Sequence, residues 1–589
     1  MGKIIALYFL LLVANVAFLA WLYFSRRRGS GSKTDTPQRD NTHDRSGNSN
    51  AVAPLPDTAS VSQPSAGHPS EIPHRTADGG VVYHDSARDK PVNNDADKEP
   101  CPVPSAVPVG AQPDGPFLVQ PMVQIGSDPA RLDCVEIIFF APTEAHGFTL
   151  KAFSDRELTV SELKPTAVCV QGVVAHKRFG YVVSGLKPGE RFKYWVNYGG
   201  KVAFEAHAAA RKGPGVAHRF VVVGDMGNGS VESTRIAHRI YTEYKPDLLA
   251  ITGDVVYMLG RASEYLRRFL PVYNARVADP GVGVPLLSEI LAFTSLGNHC
   301  VGKMDVDTIP TFDDHPDLHA FFMYWSLPLN GPLSAPRATK NIPELNGGEN
   351  LIARFLKTAG ARFPRMGNYS FDYGDAHWLV LDANAYMDWT DAELRAWVEK
   401  DLTAAAAKKW KFVNFHQPGF SSNPKHGLEK RMRLLASIFE AHGVDVVFNG
   451  HCHYYERTYP LRFAVEANAD GTLIDKDGQV AGDFTLDKTF DGVTVTKPNG
   501  VIYIVSGAGG AKLDPSGIHW RPQDWKPFTH KLIADRHSFT VADLDGDKLT
   551  LKQIDLGGKE IDRLVVTAGR SIWCCRSPAW TARPCNRRG

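Results

Sequence analysis

From residue 219 onward, short apolar runs alternate with stretches of helical spacing. Phe220, Val221, Val222 and Val223 read as a buried strand, Ile236, Ile240 and Tyr244 recur every four residues on one helix face, and residues 247–252 return as a second strand. The rhythm repeats, with a helix predicted at 397–410, a strand at 411–415, a helix at 432–439 and a strand at 444–448. Such alternation predicts a layered α/β domain, here over residues 215–569. Strand-like runs at 501–505 and 539–566, with turns at Asp545-Gly546 and Gly557-Gly558, predict that it closes with antiparallel hairpins. Between residues 108 and 214 the period falls to two. Phe192, Tyr194, Val196 and Tyr198 share one side of a strand, behind the turn Gly185-Leu186-Lys187-Pro188-Gly189. This segment predicts a β-sandwich. No solenoid-type repeat is evident.

The two ends differ from this pattern. Residues 4–24 form an apolar run broken only by Asn15, long enough at about 1.5 Å per residue to cross a hydrocarbon core of about 30 Å. The run ends on Arg26-Arg27-Arg28 without a small-residue cleavage site, so residues 1–28 are predicted to be an uncleaved single-pass membrane anchor. Residues 29–107 are dominated by Ser, Thr, Asn, Asp, Pro, Gly and His and are predicted to be a disordered polar tether. Residues 570–589, with Cys574, Cys575 and Cys585, read as an irregular basic tail.

Composition narrows the function. The chain has 589 residues, 43% of them hydrophobic and 22% charged, which excludes a wholly disordered, collagenous or polytopic membrane protein. Lys plus Arg is 66 against 64 Asp plus Glu, so there is no broad positive field and nucleic acid is not an expected partner. The 8 cysteines show no C-x-x-C spacing, and any metal must use other ligands. Cys134 and Cys169 fall within the sandwich segment, either as a bridge between strands or as isolated buried thiols.

The chemistry lies in short segments at predicted strand ends, where α/β sheets place their sites. They are Gly224-Asp225-Met226-Gly227-Asn228, Gly253-Asp254-Val255-Val256-Tyr257, Gly297-Asn298-His299-Cys300, Asn414-Phe415-His416-Gln417-Pro418 and Gly450-His451-Cys452-His453. Alone, a Gly-Asp pair is most often a turn, and His-x-His on a strand only places two imidazoles on one face. Together they offer carboxylates, an amide oxygen, imidazoles and a phenol, too many donors for one ion and suited to two held about 3.5–4 Å apart. Mixed oxygen and nitrogen donors without thiolate favour iron, manganese or zinc over calcium.

In this order the segments resemble the signature blocks of the purple acid phosphatase branch of the dinuclear metallophosphoesterase (calcineurin-like) superfamily. The longer run from Gly450 through His453 to Tyr454-Tyr455-Glu456-Arg457-Thr458-Tyr459-Pro460 resembles the family's extended last block. The resemblance covers roughly residues 108–566. It implies a metallophosphoesterase-type layered β-sheet sandwich flanked by helices, preceded by a fibronectin-like sandwich. It further implies one metal on Asp225, Tyr257 and His453, a second on Asn298, His416 and His451, and Asp254 between them. Many metallophosphoesterases carry D-x-H in the first block, whereas Gly227 stands here, and in this branch Tyr257 takes the missing role. The phenolate implies Fe(III) at that position, with Fe, Zn or Mn at the other.

The implied activity is hydrolysis of phosphoric monoesters by a metal-activated hydroxide, with a small phosphorylated substrate. His299, beside Asn298, is the expected acid or electrostatic stabiliser. His426 resembles the family's second outer-sphere histidine, and a solvent-exposed loop histidine is an equal reading. A phosphodiesterase or nucleotidase is the neighbouring alternative. From another class, the chain reads as a membrane-tethered binding protein with a relic metal site. Cys300 departs from the family, which has Asp or Glu there, and a Cys300–Cys452 disulfide is one expectation and two buried thiols the other. The catalytic domain is expected outside the cytoplasm, although the arginine cluster after the anchor favours the opposite orientation.

Overall fold

The computed structural model of the chain describes residues 115–568, apart from 303–309, 333–340, 425, 427–429, 476, 515 and 520. The predicted anchor, tether and tail lie outside these residues. Among the described residues no helix is long and apolar enough to cross a membrane.

Strands β1 (Val119–Gln124), β2 (Cys134–Pro142), β3 (Thr149–Phe153), β4 (Thr159–Val168), β5 (His176–Ser184), β6 (Arg191–Tyr198) and β7 (Lys201–Ala209) form two facing layers. One has the order β1-β2-β5-β4 and the other β3-β6-β7, which is the strand order of a constant-type immunoglobulin sandwich. On β6, Phe192, Tyr194 and Val196 are buried, and Tyr198 stacks at 4.7 Å on Phe148.

The first layer does not end at the sandwich. Strands β8 (His218–Val223), β9 (Leu248–Ile251) and β10 (Leu291–Thr294) run parallel to one another, and β1 pairs in parallel with β10 at Gln124 and Ala292. On the other side, β20 (Ser538–Asp545), β21 (Lys548–Asp555) and β22 (Glu560–Thr567) are antiparallel, and β20 pairs with β8. The result is a ten-stranded sheet shared by segments expected to be separate domains. Buried polar contacts reinforce the join, including Tyr194 Oη to Ser288 O at 2.8 Å and Asn274 Nδ2 to Gln120 O at 2.8 Å. Periodicity shows that a segment is extended, but not which strand lies beside it.

A second, seven-stranded sheet faces the first. It contains β11 (Tyr369–Tyr373), β12 (Ala376–Val380), β13 (Trp410–Asn414), β14 (Val446–Asn449), β15 (Tyr455–Thr458), β18 (Ile502–Ser506) and β19 (Thr529–Ile533), in the order β11-β12-β13-β14-β18-β15-β19. A small hairpin of β16 (Leu461–Val465) and β17 (Gly482–Leu486) stands apart. Between the two sheets, Phe220 meets Trp378 at 5.1 Å and Phe412 at 5.4 Å, and Phe293 meets Trp378 at 4.9 Å. These are edge and tilted contacts of the kind aromatic rings prefer.

Helices cover the outer faces. Helix Val231–Arg239 is capped by Ser230 and buries Ile236, with Ile240 following in a wider turn. Helix Ala392–Ala404 starts earlier than its apolar spacing predicts, because Asp391 caps it by accepting from the Glu393 and Leu394 amides. The predicted helix at 432–439 begins as a tight 3₁₀ segment, Arg431–Leu435, before helix Ala436–Ala441. The layered α/β expectation describes this arrangement.

Candidate metal centre

Parallel strands bring their carboxyl ends to one edge, so residues far apart in sequence meet there. Asp225 follows β8, Asp254 and Tyr257 follow β9, Asn298 and His299 follow β10, His416 follows β13, and His451 and His453 follow β14. The exits are stitched together by their backbones, with Asp225 N donating to Gly253 O at 3.2 Å and Gly450 N to His416 O at 3.0 Å. Asp225, Asp254 and His451 have φ values of 58°, 47° and 69°, a left-handed conformation that is costly for residues bearing a side chain. Each turns its side chain inward at once. The backbone also crowds in here: a Cβ on Gly297 would lie 2.1 Å from Asp254 Oδ1.

The donor atoms of Asp225, Asp254 and His416 all lie within 4.8 Å of one another. On one flank, Tyr257 Oη is 3.1 Å from Asp225 Oδ1 and 3.1 Å from His453 Nε2. On the other, Asn298 Oδ1 is 3.2 Å from His416 Nε2 and 3.1 Å from His451 Nδ1. Asp254 Oδ2 lies 3.2 Å from His416 Nε2. His451 and His453 therefore serve opposite flanks, which the strand reading of His-x-His does not allow. The positive φ at His451 takes this segment out of strand geometry.

The far sides of two imidazoles are fixed by backbone carbonyls. His416 Nδ1 bonds to Thr252 O at 2.7 Å and His453 Nδ1 to Lys512 O at 2.6 Å, leaving each Nε2 toward the centre. Metal-binding histidines are oriented in the same way. Burial would lower the pKa of both rings. For His416 the charges of Asp254 and Asp225 outweigh it, and for His453 the bond to Asp225 does, so both are pushed up to about 9. Burial would raise Asp254, but His416 and His299 hold it well below the usual carboxylate range. Burial, then Asp225 and Asp254, push the Tyr257 phenol well above its ordinary value. Two carboxylates buried this deeply make a field that calls for positive charge, and the donor set fits a pair of cations.

Two further histidines border the donors. His299 Nδ1 bonds to Met258 O at 2.6 Å, its ring lies 4.5 Å from that of Tyr257, and Nε2 is 3.9 Å from Asp254 Oδ2. Half-buried His426 stands with its ring edge-on at 4.4 Å from His451. It is not a fully exposed loop residue.

Of the two expectations for Cys300 and Cys452, the structure bears out the buried thiols and not the bridge. Cys300 and Cys452 are both free and fully buried, in different apolar clusters. Cys300 belongs to the large cluster that also holds Tyr265 and Val301, whereas Cys452 belongs to a small one with Tyr454, Val505 and Leu532, so the turns that bring their neighbours together send the thiols to different clusters. Burial, reinforced by Asp254, pushes the Cys300 thiol up to about 12 and keeps it neutral. Cys134 is also free, while Cys169 is disulfide-bonded, so these two do not bridge each other.

Sequence reasoning missed the supports around the donors. Asn384 Oδ1 accepts from Gln417 Nε2 at 2.9 Å and its Nδ2 reaches Gly297 O at 3.4 Å, linking the turns of His416 and Asn298. Its own orientation is set by Asp382. Only the place of Gln417 beside His416 gives any sequence signal for this network.

Residues 218–455 match the calcineurin-like phosphoesterase family. The chain is 24% identical over 314 residues to purple acid phosphatase 23 of Arabidopsis thaliana, covering 49% of this chain and 58% of that protein. It is 26% identical over 301 residues to purple acid phosphatase 15 of the same plant, covering 49% of this chain and 50% of that protein. The chain thus spans about half the length of the curated relatives it matches. Among solved structures, its fold is similar to that of purple acid phosphatase PPD1 from seeds of yellow lupin (Lupinus luteus), with a TM-score of 0.51 and 16% identity over 77% of this chain and 75% of that one.

Proposed function

We propose, from the calcineurin-like phosphoesterase match over residues 218–455 and the donor geometry, that the chain is a purple acid phosphatase-like hydrolase of phosphoric esters, acting on small monoesters. The observation that carries this reading is the cluster of Asp225, Asp254 and His416 donor atoms within 4.8 Å, flanked by Tyr257 with His453 on one side and Asn298 with His451 on the other. Asp225, Tyr257 and His453 would hold one ion, Asn298, His416 and His451 the second, and Asp254 would lie between them. The phenol favours Fe(III) at the first position, and the second suits Fe, Zn or Mn. Such a pair, when bound, neutralises phosphate oxygens and supplies an activated water for in-line attack.

The chain's own residues complete the chemistry. His299, whose Nδ1–H donates to Met258 O, presents Nε2 to the centre, where the imidazolium form donates a hydrogen bond to the transferring phosphoryl group. His426, beside His451 at the other flank, delivers a proton to the leaving oxygen. His299→Ala is expected to lower kcat by about 10² to 10⁴ while metal stays near two ions per chain. Loss of metal in that variant would instead make His299 a ligand.

The direct test is the visible spectrum of the purified protein with metal analysis. A charge-transfer band is expected in the wild type, and Tyr257→Phe should abolish it while the other donors keep metal bound. A wild-type protein that binds neither iron nor any second metal would sink the reading.

The working site is proposed to lie outside the cytoplasm, anchored by the apolar segment at residues 4–24. Protease accessibility of residues 29–107 in intact cells tests the orientation, and full protection would reverse it.

A further inference from the structure

The loop that follows His416 is fastened by a polar network. Glu456 on β15 is 1% exposed, and its carboxylate accepts from Ser422 N at 2.9 and 3.1 Å, from Thr529 Oγ1 at 2.6 Å and from Tyr454 Oη at 3.1 Å. Ser421 Oγ lies 2.7 Å from Tyr454 Oη and accepts from Asn423 N at 3.1 Å. Residues 421–423 are thereby bolted to the second sheet.

Asn423 is the branch point. Its Oδ1 accepts from His426 N at 2.9 Å, and its Nδ2 donates to Asp514 Oδ2 at 2.7 Å. The same Asp514 oxygen accepts from His453 N at 3.0 Å. One buried carboxamide therefore links the turn bearing His426 to the turn bearing His453, from opposite sides of the centre.

We propose that Asn423, held by Asp514, is a positioning residue that fixes His426 at the leaving-group side, so that hydrolysis of esters with poor leaving groups depends on it. The inference rests on the phosphohydrolase reading above. A group that transfers a proton must sit within hydrogen-bond reach of it, and a misplacement of about 1 Å can cost about 10² in rate. An alkoxide leaving group needs that proton, whereas a nitrophenolate departs without it. Loss of the tie should therefore separate the two substrate types.

The test compares glycerol phosphate with para-nitrophenyl phosphate in the full chain. Asn423→Ala is expected to lower kcat on glycerol phosphate by about 30- to 100-fold and on the nitrophenyl ester by less than about threefold, with bound metal unchanged. Asp514→Asn, which keeps an oxygen acceptor for both donors, should retain activity on both esters. Carbethoxylation of His426 by diethyl pyrocarbonate, mapped by mass spectrometry against exposed His146, gives a readout independent of activity. It should rise by about tenfold in Asn423→Ala. Equal losses on both esters together with lost metal, or unchanged His426 reactivity, would overturn the proposal. If the wild type hydrolysed neither ester, the hydrolase reading would fall, and His426 reactivity alone would decide whether Asn423 positions it.

Discussion

Asp254→Asn is expected to reduce phosphate ester hydrolysis by at least about 10³-fold and to lower bound metal from about two ions per chain toward one or none. The substitution is nearly isosteric. Asp254 Oδ1 accepts the His299 amide at 2.9 Å, and a carboxamide oxygen can keep that bond, so the β9 exit and the His299 turn should hold their shape. What disappears is a buried negative charge 3.2 Å from His416 Nε2, in the position between the two sets of donors. Removing one donor from a preorganised electrostatic site costs about 10² to 10³, and losing an ion costs more. Thermal denaturation with and without chelator gives a second measure. Metal that binds only the folded state raises the midpoint, so chelation should lower it in the wild type and hardly move it in the variant. Full activity with two ions retained in Asp254→Asn would remove this residue from the centre.

Gly227→His is expected to destabilise the protein by more than roughly 3 kcal/mol, and not to create a further metal ligand. The side chain is missing from the first block for a steric reason. A Cβ on Gly227 would stand 1.6 Å from Val255 O and 2.7 Å from the Val255 carbonyl carbon, both backbone atoms of the segment that leads into Tyr257. A flexible side chain can yield to such a contact, but backbone between Asp254 and Tyr257 cannot move without displacing both. Tyr257 N also donates to Gly227 O at 3.3 Å, so the two segments are already in register. The close approach that excludes a histidine is the one that brings the phenol of Tyr257 within 3.1 Å of Asp225. A denaturation midpoint equal to that of the wild type, or a higher metal stoichiometry, would contradict this account.

Much of the centre was legible in the chain because its information is local. A strand of alternating or continuous apolar residues, followed at once by glycine and a short polar residue, marks a strand exit, and parallel sheets gather such exits at one edge. For that reason Asp225, Asp254, Asn298, His416 and His451 could be grouped without coordinates, and the resemblance of their blocks to a known family added the pairing of Tyr257 with His453. The closing hairpins at Asp545-Gly546 and Gly557-Gly558 were legible for the same local reason: Gly546 and Gly558 take positive φ in tight turns between β20, β21 and β22.

What the tertiary structure alone decided is who stands beside whom. Strand periodicity is blind to lateral partners, so the pairing of Gln124 with Ala292 that fuses the sandwich to the sheet of β8, β9 and β10 left no trace in the pattern of either segment. The direction of a side chain leaving a turn depends on backbone dihedrals, which is why His451 and His453 separate to opposite flanks and why Cys300 and Cys452 enter different apolar clusters. The supports are hidden most completely. Asn423 and Asp514 are 91 positions apart and form a hydrogen bond that no spacing rule encodes, because its geometry exists only once two loops have been carried to the same edge by the sheet beneath them. Donor identity is a property of residues and their immediate neighbours. The distances that make those donors a site are set by the packing of two sheets around Phe220, Phe293 and Trp378.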